Sequence, residues 1–186
     1  MRNLAVFGCI FIGGILYGCA TPEPSGAGEP VDEPEEISAE EEHYPSWYTP
    51  GKLGEASGGD LYGFGTALGT ETGWTIENAA RQAKVNLRSW MDEQLEEARS
   101  RIVESDERAA DREFIIDLRN SVVGLELTET PQQQEIIEEN GSIRVWVRIH
   151  VSVSEVLEVL DRQLEPYDEI WNKMKDSGLL RSWETP

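Results

Sequence analysis

Thiols are nearly missing from this chain. Its 186 residues include two cysteines, Cys9 and Cys19, so everything beyond Cys19 has no disulfide, no cysteine metal site and no cysteine nucleophile. Histidine is as scarce. His43 and His150 are the only two, and neither has a Cys or His partner at ligand spacing, which argues against metal ligation and base catalysis. Positive charge is short as well: 16 Lys and Arg against 36 Asp and Glu give a net charge of −20. Such a balance repels nucleic acid and anionic lipid head groups, so neither is expected as a partner through bulk charge. No apolar run is long enough to cross a bilayer as a helix, which takes about 20 residues.

A shorter apolar run is present at the start. Met1 and Arg2 lead into Leu4 to Tyr17, which suits the hydrophobic stretch of a secretory signal. It ends in Leu16-Tyr17-Gly18-Cys19. An apolar residue, a variable one, a small one and then Cys resembles the bacterial lipobox. That resemblance implies cleavage before Cys19, a diacylglyceryl group on its thiol and acylation of the new amino group. Residues 1–18 are then the signal peptide and Cys19 the lipidation site. Two or three acyl chains anchor firmly, since each buried methylene contributes roughly 0.8 kcal/mol. Ala20 follows directly, without the aspartate that commonly marks inner-membrane retention in lipoproteins, so the address resembles that of the outer membrane.

Residues 19–43 read as an acidic tether. They are rich in Pro, Gly, Ser, Asp and Glu, and Val31 and Ile37 are their only large aliphatics. A segment of this kind cannot bury enough apolar area to offset its ordering entropy and is expected to be disordered. Its reach is on the order of 25–30 Å by flexible-chain scaling.

Order is expected from Tyr44. Pro45-Ser46-Trp47-Tyr48 reads as a lip over the edge of the core, and the glycines of Gly51 to Asp60 read as a turn-rich loop. Leu61 to Leu68 forms a first strand whose glycines suggest close approach of a neighbouring backbone or helix. After a turn at Gly69 to Trp74, Thr75 is the expected N-cap of a long helix. Its apolar positions Ile76, Ala80, Ala83, Leu87, Trp90 or Met91, Leu95, Ala98 and Ile102 recur at three- and four-residue steps, and the alanines would let it lie close on the sheet. Ser105-Asp106-Glu107 either caps a second helix or lies within a continuing one, and Phe114, Leu118 and Val122 carry the stripe to Val123. Leu125 to Thr130 alternates as a strand, interrupted by Pro131 at an edge or bulge, and Gln132 to Glu139 is where pairing can resume. Asn140-Gly141 marks a hairpin. Val145, Val147, Ile149, Val151 and Val153 form the buried face of the next strand, with Arg144, Trp146, Arg148 and His150 opposite. Ser154 is the expected cap of a last helix whose Leu157, Leu160, Leu164, Tyr167, Trp171 and Met174 form a partner-seeking seam. Pro166 bends or restarts that helix and Gly178 ends it. The fold class is therefore α+β: a long helix on a small antiparallel sheet in β-α-β-β order across residues 44–153, with an extra C-terminal helix in residues 154–186.

No catalytic set emerges. Gly63-Phe64-Gly65-Thr66-Ala67-Leu68-Gly69 has dinucleotide-loop glycines, but they lie within the strand, and the next strand is far beyond a compact βαβ unit. Ser57, Ser89 and Ser121 have no nucleophile motif around them. The carboxylates show no recognisable acid–nucleophile setting. Trp90, Trp146 and Trp171 read as core or interface anchors rather than a sugar platform.

The Pro45-Ser46-Trp47 opening, the strand Leu61-Tyr62-Gly63-Phe64-Gly65-Thr66-Ala67 and the helix with Ala79, Ala80, Ala83 and Leu87 together resemble the LPP-twenty lipoprotein family of bacterial outer-membrane lipoproteins. The resemblance covers roughly Pro45 to Ser154. It implies an α+β domain without catalytic residues, in relatives that build rings or discs at the flagellar base or serve as surface antigens. The expected molecule is a non-enzymatic outer-membrane lipoprotein. It is held by the lipid on Cys19, and its domain binds envelope proteins or itself, with no cofactor and no metal. The alternative is a module for envelope glycan or a small ligand, using Trp and Tyr rings.

Overall fold

The computed structural model describes residues 43–128 and 130–183, and these fall within one compact unit. A four-stranded antiparallel sheet has the order β1-β2-β4-β3, with β1 at Gly54–Ser57, β2 at Asp60–Gly69, β3 at Gln133–Glu139 and β4 at Ser142–Ser152. Helix α1, Thr72–Ile102, lies on one face. Helix α2, Arg112–Val123, follows it, and α3, Val153–Gln163, and α4, Asp168–Asp176, close the chain. The class is α+β, with the long helix on the antiparallel sheet as expected.

The contact between α1 and β2 organises the core. Odd-numbered β2 residues face the helix. A Cβ built on Gly65 would lie 2.2 Å from the Ala79 carbonyl oxygen and 2.4 Å from the Ala83 nitrogen, and one on Gly63 would lie 2.5 Å from the Ala83 carbonyl oxygen. Strand glycines and helix alanines thus meet backbone to backbone. Leu61, Ala79, Ala83, Leu87, Met91, Val145, Val147 and Ile149 are at most 1% exposed around them.

Several boundaries differ from the sequence reading. The glycine-rich loop before β2 contains a strand. Gly58 and Gly59, at φ +63° and +83°, form the two-residue turn of a β1–β2 hairpin with Ser57 opposite Asp60, since a turn that matches strand twist needs positive φ at both positions. Gly54-Glu-Ala-Ser57 has no β-branched residue to signal it. Thr75 does not cap α1. The helix starts a turn earlier, after Glu71, and the buried Thr75 hydroxyl donates back to the Glu71 carbonyl at 2.7 Å. Between α1 and α2 the chain breaks. The Asp106 carboxylate accepts from the Arg108 backbone N–H and caps a short 3-10 turn, Glu107–Ala110.

Leu125 to Thr128 is not a strand. Leu125 and Leu127 are buried, but Arg88 Nη2 donates to the Leu125 carbonyl at 2.7 Å, so that backbone is satisfied from α1 rather than by a ladder. Pairing begins after Pro131: Gln132 N–H bonds the Arg148 carbonyl and β3 follows as an edge strand. Asn140 and Gly141 turn at φ +51° and +77° as the hairpin signal requires.

The C-terminal part is two helices. Ser152, not Ser154, precedes α3, and Val153, expected at the end of β4, opens that helix. A 3-10 turn containing Pro166 restarts the chain into α4. Gly178, at φ +83°, lies one residue past the α4 cap Ser177. Leu160, Leu164, Trp171 and Met174 are at most 2% exposed, so the seam is used up inside this domain. Leu180–Trp183 folds back as a 3-10 turn, and Trp183 stacks on Trp90 with centroids 5.6 Å apart.

Candidate functional site

Even-numbered residues of β2 and β4 face away from α1. Tyr62, Phe64, Thr66 and Leu68 pair with His150, Arg148, Trp146 and Arg144 respectively. Strand alternation makes this the solvent face, yet Phe64 is 1% and Trp146 2% exposed. The segment from Tyr44 to Lys52 covers them as a strap. Tyr44 and Tyr48 stack on each other at 5.9 Å, and each meets the Trp146 ring, at 6.4 and 6.5 Å. Two turns, Tyr48 N–H to the Pro45 carbonyl and Lys52 N–H to the Thr49 carbonyl, shape it. Lys52 reaches Glu55 and lies over Phe64. Burial raises the pKa of the Tyr48 phenol. The expected lip is therefore a cover over a sheet face, and Trp146, placed by periodicity on the polar side, is core.

The arginines of this face rest on rings. The Arg148 guanidinium lies 4.8 Å from the Tyr62 centroid and 6.0 Å from that of Trp47. Arg144 lies 5.9 Å from Trp146. Arg148 Nε, His150 Nδ1 and Trp146 Nε1 are buried without hydrogen-bond partners. His43 approaches Glu135 of β3 at 3.9 Å, so the strap starts on the β3 side and ends beside β1.

Both sheet edges are open over part of their length. β3 pairs only with β4, and Ile136 is 40% exposed. β1 covers β2 only from Asp60 to Gly63, and the Leu53 carbonyl takes the N–H of Phe64. The Phe64 carbonyl, on that same edge, is closed by Asn86 Nδ2 at 2.7 Å. From Thr66 onward no further strand meets this edge among the described residues. A hollow of about 320 Å³ lies there between β2 and α1, lined by Thr66, Ala67, Asn78, Arg81, Gln82 and Val85.

The remaining candidates separate. Trp171 is 2% exposed, and Trp90 is half-buried against Trp183 and Gly54, so Trp90, Trp146 and Trp171 form no common exposed platform. Among the described residues no three His, Cys, Asp or Glu side chains are placed to hold a metal, and no helix is long and apolar enough to cross a membrane. Cys19, the signal and the tether to residue 42 lie outside the described residues. The partly open β2 edge has no local signal in the sequence, because β1, the strand that stops short of it, reads there as a loop. No family model, curated protein or solved structure matches the chain.

Proposed function

We propose that this protein is an outer-membrane lipoprotein, held by acyl chains on Cys19, whose α+β domain serves protein interaction or self-assembly in the cell envelope without catalysis. The observation that carries the reading is Leu16-Tyr17-Gly18-Cys19 at the end of an apolar run that opens with Met1 and Arg2, in the manner of LPP-twenty-like lipoproteins. The open edges of β3 and β2 support the second half, because unpaired strand edges accept further strands. Cys19→Ser is the test. The parent chain should sediment with the outer-membrane fraction and yield a diacylated, N-acylated Cys19 peptide by mass spectrometry, while the variant should be released. A variant that still fractionates with the outer membrane refutes the anchor.

A second reading, an envelope glycan or small-ligand module, is favoured by one feature. Trp47 and Tyr62 flank Arg148, whose Nε has no partner. Calorimetric titration with peptidoglycan fragments separates the two readings, since heat of binding that disappears in Trp47→Ala would favour this one.

A further inference from the structure

We infer that the Tyr44–Lys52 strap is a lid, hinged at its β1 end, that a pull on the tether lifts from the sheet while the rest of the domain stays folded. Only the origin of that pull, a lipid on Cys19, rests on the reading above.

The strap covers without pairing. Among the described residues the sheet consists of β1 to β4, and the strap belongs to none of them. Pro45 and Pro50 have no N–H to give to a ladder. The Tyr48 and Lys52 N–H groups donate to Pro45 and Thr49, carbonyls of the strap itself, so both bonds travel with it. Rings hold it down: Tyr44 and Tyr48 on Trp146, and Trp47 beside Arg148. What it covers is separate from the inner layer. Phe64 and Trp146 are buried, yet the continuous apolar cluster on the α1 side of the sheet includes neither. Lifting the strap therefore breaks no ladder and leaves the packing of α1 on β2 in place.

The closed state is also incompletely satisfied. Trp146 Nε1 and Arg148 Nε are buried without hydrogen-bond partners. They lie two residues apart on β4 and so on the same, covered face. A buried donor without an acceptor is destabilising, and water relieves it on exposure. Covering Phe64 and Trp146 keeps the strap down at rest. The two idle donors weaken that hold and place lid opening below global unfolding in free energy.

The two ends are held differently. At the β1 end the Leu53 carbonyl accepts from Phe64 N–H, and Lys52 pairs with Glu55 of β1, which ties the chain into the hairpin. Gly51, at φ +78° with open space around it, sits just before that tie and has the backbone freedom of a hinge. At the tether end His43 and Glu135 are 3.9 Å apart, with side chains 73% and 40% exposed, and exposed pairs of this kind contribute little. Tension along residues 19–43 thus reaches Tyr44 first. It peels the ring contacts one after another and loads the ladders only after the strap has come free.

Two measurements on the full chain in detergent micelles test the lid. In hydrogen exchange at increasing urea, the Trp146 indole N–H should be protected at least about tenfold less than the Val147 backbone N–H of the same strand, with a shallow urea dependence, because opening exposes little surface. Tyr44→Ala/Tyr48→Ala should lower the indole protection at least about tenfold further by removing its aromatic cover, and should leave Val147 unchanged. For optical tweezers the chain carries Cys9→Ser and Glu155→Cys, the latter at an exposed position of α3, and is held through Cys19 and the thiol introduced at position 155. A reversible first lengthening of at most about 30 Å, the reach of the nine strap residues when extended, should precede the main unfolding event and should need less force in the double variant. The inference is overturned by an indole that exchanges only together with Val147, by a single unfolding event with no earlier step, or by a first step indifferent to the double variant. A double variant that does not fold overturns it too, since the strap would then be part of the cooperative fold. Cys19→Ser fractionation is independent of these outcomes: a failed anchor leaves a lid without a pull from the membrane, and a failed lid leaves the anchor as it was.

Discussion

Gly65→Ala places one methyl group where the helix backbone already is. The new Cβ would sit 2.2 Å from the Ala79 carbonyl oxygen, 2.4 Å from the Ala83 nitrogen and 3.0 Å from the Ala83 Cα. None of these is the end of a flexible side chain, so no rotamer change relieves the overlap. Either α1 lifts off the sheet by the better part of an ångström or β2 bows away from it. Lifting α1 loosens Ala79, Ala83, Leu87 and Met91 together, all fully buried. A radial gap of 0.5–1 Å forfeits about a quarter to a half of each dispersion contact. Overpacked cores lose about 1–3 kcal/mol, and a rigid backbone obstacle puts this site at the upper end. Against that, alanine restricts the unfolded chain relative to glycine and returns about 0.4–1 kcal/mol. The net expectation is a loss of about 2–2.5 kcal/mol, or roughly 4–10 °C in melting temperature for a domain of this size. Urea unfolding followed by far-UV circular dichroism measures it. Gly141→Ala is the internal control: its Cβ meets nothing within 4 Å, so only the positive φ of +77° opposes it, at roughly 1 kcal/mol. If Gly65→Ala costs no more than Gly141→Ala, the close α1–β2 contact does not organise this core.

Two further perturbations probe the joints of the fold. Asp106 is 8% exposed and accepts from Arg108 and from Lys173 of α4, each at 2.8 Å. These hydrogen bonds, Arg108 first, hold its carboxyl well below the usual carboxylate range. A folded-state pKa below the unfolded one contributes stability that is present above about pH 4 and is lost as pH falls toward the folded value. The urea midpoints of wild type and Asp106→Asn should therefore be well separated at pH 6 and should converge as the pH is lowered from 4 to 2, and a constant separation would refute the linkage. Trp183→Ala removes a 1%-exposed ring stacked on Trp90 and should cost about 3–5 kcal/mol, the range for deleting a buried large aromatic. A loss below about 1 kcal/mol by urea unfolding would show that the C-terminal turn is not part of the core.

Periodicity carried most of the inner layer. The helical stripe of α1, the alternation of β4, the Asn140-Gly141 turn and the small residues of β2 each follow from a local rule, and each is a feature whose partner the sequence also reveals. What the sequence did not reveal was cover. Alternation places Trp146 opposite Val145 and Val147 and so on the wet face. The residues that make it dry, Tyr44 and Tyr48, lie about a hundred positions earlier in the chain, and nothing between them announces the pairing. The same limit hid the fate of the C-terminal seam. A stripe of Leu160, Leu164, Trp171 and Met174 states that something must pack there. It does not distinguish a partner from the protein's own α1 and α2, because burial demand is local and supply is not. Edges invert the problem. A strand whose partner stops early leaves backbone groups open without any change in its own residues, and β2 from Thr66 onward reads no differently from β2 before it. A stretch of open strand edge is therefore a property of relative strand length. It becomes visible only once Gly54 has been seen opposite Gly63, with the rest of β2 running on beyond it.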